Sequence, residues 1–437
     1  MASEWREVRL EDIAAPSRNA LVGGPFGSEL VSSDYAPCGV PVIRGENVSL
    51  GRWVAGDFAF VSERKARQLA ANTAGPLDLV FTQRGANHYR QVALVPAQAS
   101  DRFVISQSQM KLTVDPRQAD PLFIYYLMRA PDQQAYLQRN AIQTGVPHTN
   151  LSILRRMPVR IPPLGEQQAI ARTLGALDDK IELNRRMSQT LESMARALFK
   201  SWFIDFDPFR AKGEGREPLV PPSIADLFSA PLQGSELGEI PVGWRVTQIT
   251  ELAEVVGGNT PPTDKVEFWH GGGHRFATPK DLASLDSPVL LDTEHRITDA
   301  GLARVSSGLL PPGTVLLSSR APIGYRAICE VPVAINQGFV ALRPREQIPS
   351  LFLYLWLASQ ADEILSRANG STFLEISKSS FRGLQLVAPP QPIIAAFGRL
   401  TAPIQGRLSS LAQEQVVLAS DRDALLPGLI TGRVDFK

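Results

Sequence analysis

The feature that most constrains this chain is an internal duplication. The stretch TQRGANHYRQVALV, starting at Thr82, matches SSRAPIGYRAICEV, starting at Ser318. Other matches keep the same order along the chain: WREVRL with WRVTQI, VISQSQMKL with VAINQGFVAL, DPLFIYYLMRAPDQQAYLQ with IPSLFLYLWLASQADEILS, and RMPVRIPPLGEQQAIARTL with GLQLVAPPQPIIAAFGRL. The repeating unit, of roughly 200 residues, is too long for a solenoid. The sequence therefore predicts two similar globular parts.

Each part carries signals for both kinds of secondary structure. Short β-branched runs such as GVPVI at 39–43 alternate with Gly and Pro turns, as strands do. Residues 121–137 instead place apolar side chains at helical spacing. The predicted fold class is α/β, in the mixed α+β sense.

Two longer segments follow a different pattern. From Glu166 to Phe203 there is no proline, and core-type residues recur at alternating four- and three-residue spacing. This is the seam of a coiled coil, about 55–60 Å long at 1.5 Å per residue. A second such helix runs from Ile393 through Leu400 and Leu425 and is expected to end before Pro427. We expect the two helices to pair within the chain, with Asn184 and Ser188 setting their register; two intermolecular coiled coils are the alternative.

Composition excludes several classes of protein. The chain has 437 residues and a net charge of +1, so it is not a uniformly basic nucleic-acid binder, although local basic faces remain possible. Cys38 and Cys329 lack the spacing of a disulfide framework or a zinc site. The N-terminus has no signal-peptide core and no run is long enough to span a membrane. A cytoplasmic protein is the expectation.

The short motifs of enzymes are missing. There is no phosphate-binding loop or dinucleotide fingerprint, and GGPFGS at 23–28 has the wrong spacing for either. His270 and His274 flank three glycines without the acidic residue of a zinc protease, and Asp205 and Asp207 lack further metal ligands. We therefore predict a non-catalytic chain with no metal site.

The stretch from 162 to 209, PPLGEQQAIARTLGALDDKIELNRRMSQTLESMARALFKSWFIDFDPF, and LGEIPVGW at 237–244 carry a family resemblance. They are similar to the central conserved region of specificity (S) subunits of type I restriction–modification systems, and the two-copy plan matches over essentially the whole chain. The second long helix departs from the family pattern, with PPQPIIAAFGRL in place of the usual Pro-Pro-x-x-Glu-Gln run.

The resemblance implies two target-recognition domains, each reading one half of an asymmetric bipartite DNA site, separated by two antiparallel helices. The implied boundaries are 1–163 for the first domain, 164–206 for the first helix, 207–238 for a crossover linker, 239–390 for the second domain and 391–430 for the second helix. Under this interpretation the helices act as a ruler that sets the spacing between the half-sites.

The resemblance also implies partners. These are double-stranded DNA, two modification (methyltransferase) subunits and a restriction (translocase and nuclease) subunit, with no membrane contact. S-adenosylmethionine, Mg and ATP are expected on the partner subunits and no cofactor in this chain.

Base and phosphate contacts should come from polar loop residues, because arginine suits guanine and phosphate while Asn and Gln suit adenine. The candidates are the duplicated polar residues and the acid-free stretch 139–160: Arg84, Tyr89, Arg90, Gln107, Gln109, His148, Arg155, Arg320, Tyr325, Arg326, Asn336 and Gln337. The opposing interpretation is that features shared by both copies maintain the fold, since diverged half-sites require differences.

The first long helix ends in an aromatic cluster. Trp202 extends the seam, whereas Phe199, Phe203 and Phe206 exceed what one narrow seam buries. We predict that these four residues pack against the second long helix and a modification subunit.

Two other functions are weighed. A nuclease or methyltransferase needs a carboxylate–lysine cluster or an Asn-Pro-Pro-aromatic tetrapeptide, and neither motif is found. A protein-interaction scaffold, with two modules on a coiled coil and no DNA, stays open on the sequence alone.

Overall fold

The computed structural model of the protein describes residues 5–48, 51–84, 91–99, 102–320, 322–370 and 374–432. The chain divides into two compact units. The first unit comprises Met1–Ile181 and Val417–Lys437, and the second comprises Glu182–Val416. Each unit contains both strands and helices, which confirms the mixed α/β class.

The first unit takes both termini of the chain. Its strands are β1 (Arg6–Arg9), β2 (Leu21–Gly23), β3 (Tyr35–Ala36), β4 (Val40–Ile43), β5 (Ala59–Val61), β6 (Thr73–Ala74), β7 (Leu79–Thr82), β8 (Val92–Leu94), β9 (Phe103–Ile105), β10 (Gln109–Leu112) and β11 (Pro158–Ile161). Its helices are α1 (Gly45–Val48), α2 (Glu63–Gln68), α3 (Pro121–Arg129), α4 (Pro131–Asn140), α5 (Leu151–Arg155) and the first part of α6 (Leu164–Phe203).

The core of the first unit lies on both faces of one sheet, ordered β2-β10-β7-β8. Strand β7 is buried along its whole length. Because successive side chains of a strand point to opposite faces, Leu79 and Phe81 pack with helix α3, whereas Val80 packs with a second sheet ordered β3-β5-β4-β9-β6. In a separate antiparallel pair, β1 is joined to β11, the strand immediately before α6 in sequence.

The second unit occupies the middle of the chain. Its strands are β12 (Leu232–Ser235), β13 (Gly238–Pro241), β14 (Arg245–Gln248), β15 (Ala253–Gly257), β16 (His274–Ala277), β17 (Val289–Leu290), β18 (His295–Ile297), β19 (Val315–Ser318), β20 (Arg326–Cys329), β21 (Ala334–Ile335), β22 (Phe339–Pro344) and β23 (Gln385–Ala388). Its helices are the rest of α6, α7 (Asp207–Gly213), α8 (Pro279–Ala283), α9 (Asp299–Leu302), α10 (Ser350–Ser359), α11 (Ala361–Ser366), α12 (Lys378–Arg382) and most of α13 (Gln391–Ile430).

The topology of the second unit repeats that of the first. Its main sheet is ordered β15-β22-β19-β20-β17, so β15, β22, β19 and β20 correspond to β2, β10, β7 and β8. The pair β14-β23 corresponds to β1-β11, and β23 again lies immediately before a long helix. The duplication in the sequence is therefore a duplication of fold.

In the first unit, the long helices are joined by a buried polar network. The Asp178 carboxylate on α6 accepts from Arg422 of α13 at 2.8 Å and from the Tyr126 hydroxyl of α3 at 2.6 Å. Arg52 donates to the Gly175 carbonyl of α6 at 3.1 Å and is paired with Asp179. Burial, reinforced by the Asp178 carboxylate, raises the pKa of the Tyr126 phenol, so this hydroxyl stays a donor.

In the second unit, the same helices pack through apolar and aromatic side chains. Asn184 donates to Glu414 at 2.9 Å, and further along the helix the Phe199 ring lies 6.1 Å from the Phe397 ring. Residue numbers rise on α6 as they fall on α13, so the helices run antiparallel and pair within the chain, as predicted. Ser188, also buried, has no hydrogen-bond partner for its hydroxyl among the described residues.

Two details of the predicted second helix are wrong. Leu400 and Leu425, predicted on the seam, are 37% and 39% exposed, whereas their neighbours Thr401 and Leu426 are buried. An α-helix with 3.6 residues per turn drifts by about 20° per heptad from a strict seven-residue repeat, so at Leu425, more than four heptads after Ile393, the next residue faces inward. Leu400 lies one heptad after Ile393, and this drift does not account for its exposure. The helix also continues through Pro427 to Ile430, because Leu429 and Ile430 are buried in the first unit's core.

Helix α6 ends at Phe203, within the aromatic cluster. Phe206 adopts a left-handed conformation at φ 55°, and a new helix, α7, starts at Asp207 with Pro208 in its first turn. Asp205 pairs with Lys200 and so has a structural role. Among the described helices, none combines the length and the apolar character needed to cross a membrane.

Candidate nucleic-acid interface

In the first unit, three segments of the repeated sequence meet where strand β7 ends. The N–H of Gln83 donates to the Ser108 carbonyl at 2.6 Å, and the Gln83 carbonyl accepts from the Thr149 N–H at 2.9 Å. The strand end is thus held between the β9–β10 turn and the loop 142–148. We call residues 83–84, 106–109 and 142–149 the first edge.

The second unit builds the same arrangement from its own copy of these segments. The Ser319 N–H donates to the Gly338 carbonyl at 2.8 Å, and the Ser319 carbonyl accepts from the Ile376 N–H at 3.0 Å. We call residues 319–320, 336–339, 369–370 and 374–376 the second edge.

The loop of each edge is closed by a pair of backbone hydrogen bonds. Ile142 and His148 exchange both bonds, at 2.8 and 3.1 Å, and Asn369 and Glu375 do the same at 2.9 Å each. Each loop is followed by a capped short helix: the Asn150 side chain accepts from the Ile153 N–H, and the Ser377 hydroxyl accepts from the Ser380 N–H. The backbone of the two edges is therefore shared in detail.

In each unit, the glycine immediately after strand β2 or β15 lets the chain pass close to the edge. A Cβ added to Gly24 would lie 2.0 Å from the Ser106 carbonyl oxygen, and one added to Gly258 would lie 1.8 Å from that of Ile335. Each glycine is the third residue of a shared Val-Gly-Gly tripeptide, in VGGP at 22–25 and VGGN at 256–259. These contacts exclude any side chain at either position.

The predicted residues of the first edge separate into exposed and structural ones. Arg84 is exposed at the end of the edge. Gln109 is fully buried and accepts from the Ser106 hydroxyl. Gln107 is exposed but donates to the backbone carbonyls of Gly27 and Leu30, so both side chains hold the loops together. Tyr89 and Arg90 lie outside the described residues.

Two further predicted residues belong to the loop and the helix after it. His148 is half-buried, and its Nδ1 lies 3.0 Å from the Val146 carbonyl oxygen. Arg155 donates to the Leu21 carbonyl of β2 at 3.2 Å, and Arg382 repeats this contact with Val255 of β15 at 3.0 Å. Because both units make it, the Arg155 contact supports the fold.

At the second edge, Arg320 and Tyr325 are exposed, and Arg320 Nε lies 2.9 Å from Glu375 Oε2. Arg326 is half-buried, with its guanidinium 5.0 Å from the centre of the Tyr354 ring. Burial raises the pKa of the Tyr354 phenol, so the ring stays neutral beneath the cation. Arg326 is thereby engaged within its own unit.

The amides of the second edge also make local contacts. The Asn336 side chain accepts from the Gly338 N–H at 2.9 Å and shapes the turn. Gln337 is exposed but is bonded to the Thr260 hydroxyl. Of the predicted residues that the structure describes, six are exposed on or beside the two edges: Arg84, Gln107, Arg155, Arg320, Tyr325 and Gln337. Gln107 and Arg155 donate to backbone carbonyls of their own unit.

Comparison with known proteins identifies the family that has this duplicated sequence. The profile of the family described as type I restriction modification DNA specificity domain matches residues 85–193 and 241–397, more than half of the chain. The chain belongs to this family. The two matched segments contain the loops of the first and second edges, respectively.

Specificity subunits from distant organisms share the sequence. The chain is 27% identical over 378 residues to the type I restriction enzyme HindI specificity subunit of Haemophilus influenzae, covering 76% of this chain and 82% of that one. It is 38% identical over 157 residues to the MjaIX specificity subunit of Methanocaldococcus jannaschii, covering 36% of each chain. As a type I restriction specificity subunit, the protein is not an enzyme.

A solved structure shows the same fold. The type I restriction–modification S subunit from M. genitalium superposes with a TM-score of 0.56 at 17% identity, over 100% of this chain and 97% of that one. The duplicated arrangement of strands and long helices is thus the fold of this family.

The aromatic residues predicted to dock a partner lie inside the specificity subunit. Phe199, Trp202, Phe203 and Phe206 are all buried in one cluster of the second unit. Trp202 packs on Phe228 with ring centres 4.8 Å apart. The predicted packing on the second long helix is observed at Phe397; docking of a modification subunit on these rings stays a prediction, although most of their surface is already covered within this chain.

Sequence reasoning missed Glu375 and the two tight glycines. The repeated VGG tripeptide was a signal that a self-comparison could have found. Glu375 gave no such signal, because its counterpart in the first unit is a histidine and only the folded loop brings it to Arg320.

Proposed function

We propose that each unit of this specificity subunit reads one half of an asymmetric bipartite site in double-stranded DNA, with its edge facing the duplex. One observation carries the proposal: the two edges share a hydrogen-bonded backbone but display different side chains. A common backbone positions both domains alike, and the divergent side chains allow the half-sites to differ.

The proposed division of the chain follows the same logic. Residues 1–163 and 239–390 form the recognition domains, 164–206 and 391–430 the two long helices, and 207–238 the crossover. The base and phosphate contacts are proposed to come from the exposed donors on and beside the edges together with the segment 85–90, which carries Tyr89 and Arg90.

We further propose that the subunit acts with two modification subunits and a restriction subunit. Adenine methylation, with S-adenosylmethionine, and DNA translocation and cleavage, with ATP and Mg, are proposed to take place on those partners. The names of the related specificity subunits support this, since each is described as part of a type I restriction enzyme.

A docking surface for such partners must be exposed. In the second unit, the helix pair exposes three large apolar side chains, Leu183, Met194 and Val416, each more than half exposed. Apolar side chains exposed together on one face are typical of protein-binding surfaces, and Leu183 and Met194, eleven residues apart, lie on the same side of α6. We propose the three side chains as docking residues in addition to the predicted aromatic cluster.

An exchange of loops tests the DNA proposal. The complex of the full chain with its modification subunits is produced in cells, and methylated sites are mapped to define the two half-sites. Residues 142–148 are then replaced by residues 369–375. We expect half-site 1 to change or be lost while half-site 2 stays intact.

The matched control is Glu63→Gln, which removes the exposed ion pair with Arg102 at the other end of strand β9 from the edge. It should leave both half-sites unchanged. Alteration of both half-sites by the loop exchange would contradict the assignment of one half-site to each unit. Complete absence of sequence-specific binding in the wild-type complex would favour the protein-interaction scaffold.

A further inference from the structure

At one pair of equivalent positions the two edges differ in charge. Arg84 and Arg320 occupy the same place at the end of the central strand, and each forms an isolated backbone bridge with the residue that closes the neighbouring loop. That residue is His148 in the first unit and Glu375 in the second. An arginine is thus duplicated, whereas the residue facing it has diverged from a histidine to a carboxylate.

In the second unit the carboxylate holds the arginine. Arg320 Nε lies 2.9 Å from Glu375 Oε2, and the two side chains are 47% and 41% exposed. An exposed ion pair of this kind contributes little to folding stability, because water screens the attraction and both side chains lose conformational freedom. Its main effect is on the surface itself, where it cancels the positive charge of Arg320.

In the first unit the arginine has no such partner. Arg84 is exposed, and among the described residues no carboxylate forms an ion pair with it. The sequence supports this independently, since residues 85–90 and 133–165 contain no Asp or Glu. His148, across the loop, adds no negative charge.

We propose that the residue at position 148 or 375 determines whether the duplicated arginine binds the DNA backbone. Arg84 donates to a phosphate of half-site 1, whereas the ion pair with Glu375 keeps Arg320 from binding the phosphates of half-site 2. This inference rests on the proposed function. It makes Arg84 a DNA-binding residue, and His148 and Glu375 positioning residues that act through the arginines.

Phosphate is the ligand that fits a duplicated arginine. A side chain present in both units cannot distinguish two different half-sites, whereas contacts to the DNA backbone position a protein without reading sequence. The guanidinium can donate two parallel hydrogen bonds to a phosphate, but a carboxylate already paired with it competes with the phosphate for these donors and repels it.

The salt dependence of binding tests this directly. Each phosphate contact contributes about −0.9 to the slope of log affinity against log salt on duplex DNA. The complex of the full chain with its modification subunits is titrated with its own target duplex over a series of salt concentrations. We expect Arg84→Ala to reduce the magnitude of the slope by about one and to weaken binding roughly tenfold, uniformly across half-site sequences. The double variant Arg320→Ala with Glu375→Gln, which removes both charges of the pair, should change neither quantity.

Substitutions of the facing residues should have opposite effects. Glu375→Gln frees Arg320, so we expect the slope to steepen by about one and binding to tighten several-fold. His148→Glu should capture Arg84 and reproduce the effect of Arg84→Ala, and adding Arg84→Ala to it should have no further effect. A purely structural role would alter the melting temperature instead of the slope.

The control is Glu254→Gln, which breaks the exposed pair of Glu254 with Arg343 at 3.1 Å, toward the other end of strand β22. Its slope should equal that of the wild type. The inference is overturned if Glu375→Gln and His148→Glu match this control while the wild-type complex still reads its target. It is equally overturned if Arg84→Ala relaxes a single base pair. Failure of the wild-type complex to prefer any sequence would instead refute the proposed function.

Discussion

The same two helices are packed by different chemistry in the two units. In the first unit they share a buried network of charges, centred on Asp178 and Arg422 and completed by Tyr126. In the second unit they share an aromatic cluster, in which Trp202 and Phe397 have ring centres 6.0 Å apart. The sheets and edges beside them nevertheless keep one topology. Duplication has thus preserved backbone hydrogen bonding while the side chains that fill the helix interface diverged.

The largest loss of stability is expected from a substitution in the aromatic cluster of the second unit. Trp202→Ala removes a side chain that is 1% exposed, and truncation of a buried aromatic residue costs about 3–5 kcal/mol. We expect the second unit to lose protection in hydrogen exchange at strand β19 while β7 of the first unit keeps it. Trp202→Phe, which retains a ring, should cost much less. Equal losses in both units would show that they do not unfold independently.

The first unit should lose stability when one member of its buried charge network is removed. Arg422→Met leaves the buried Asp178 carboxylate without its cation, and breaking such a pair costs about 3 kcal/mol or more. We expect urea denaturation to show this loss in the first unit. The double variant Asp178→Asn with Arg422→Met should recover part of the stability, because no buried charge is left uncompensated. A double variant as unstable as the single one would contradict a charge-based explanation.

A smaller change in the free energy of unfolding, this time an increase, is expected on substitution of Ser188. Its hydroxyl is buried without a hydrogen-bond partner among the described residues, and an unsatisfied buried polar group costs about 1–3 kcal/mol. Ser188→Ala should therefore raise the free energy of unfolding by about 1 kcal/mol. Asn184→Ala, which removes the bond to Glu414, is the comparison and should lower it. A destabilising Ser188→Ala would imply a partner for this hydroxyl.

The smallest effect should be at the surface of α6. Hydrogen bonds from Arg185 and then Arg186 hold the pKa of Glu182 below its usual range. A lowered folded-state pKa contributes stability above the unfolded-state pKa, and this stability is lost as pH falls through the folded-state value. Glu182→Gln should therefore cost no more than about 0.5 kcal/mol at neutral pH and nothing in acid, as measured by urea unfolding at both pH values.

Much of the fold was accessible from pattern alone. The matched segments around Thr82 and Ser318 predicted two copies, and the seam through Leu174 and Asn184 predicted the paired helices, because apolar periodicity acts over a few turns. Leu425 was misplaced because the small angular drift of a straight helix accumulates over many turns and is invisible locally. The predicted stop at Pro427 failed because burial of the following residues in the core outweighed the local propensity of proline.

The candidate site was less predictable. Arg84 and Arg320 were found because they are duplicated, but Gln109 shares that duplicated segment and proved to be buried. A polar residue near a turn can either face solvent or fasten the turn, and sequence spacing does not distinguish the two. The structure distinguishes the two roles by showing which side chains donate to backbone carbonyls, as Gln107 does to Gly27 and Leu30.

Residues alone therefore establish the duplication, the mixed α/β class, the long helices and the family, since each depends on order or periodicity along the chain. Only the folded chain decides which duplicated side chains are exposed, which aromatic rings are core, and that Glu375 faces Arg320. Those outcomes depend on contacts between segments far apart in sequence. At the two edges, such contacts turn one repeated backbone into two different surfaces.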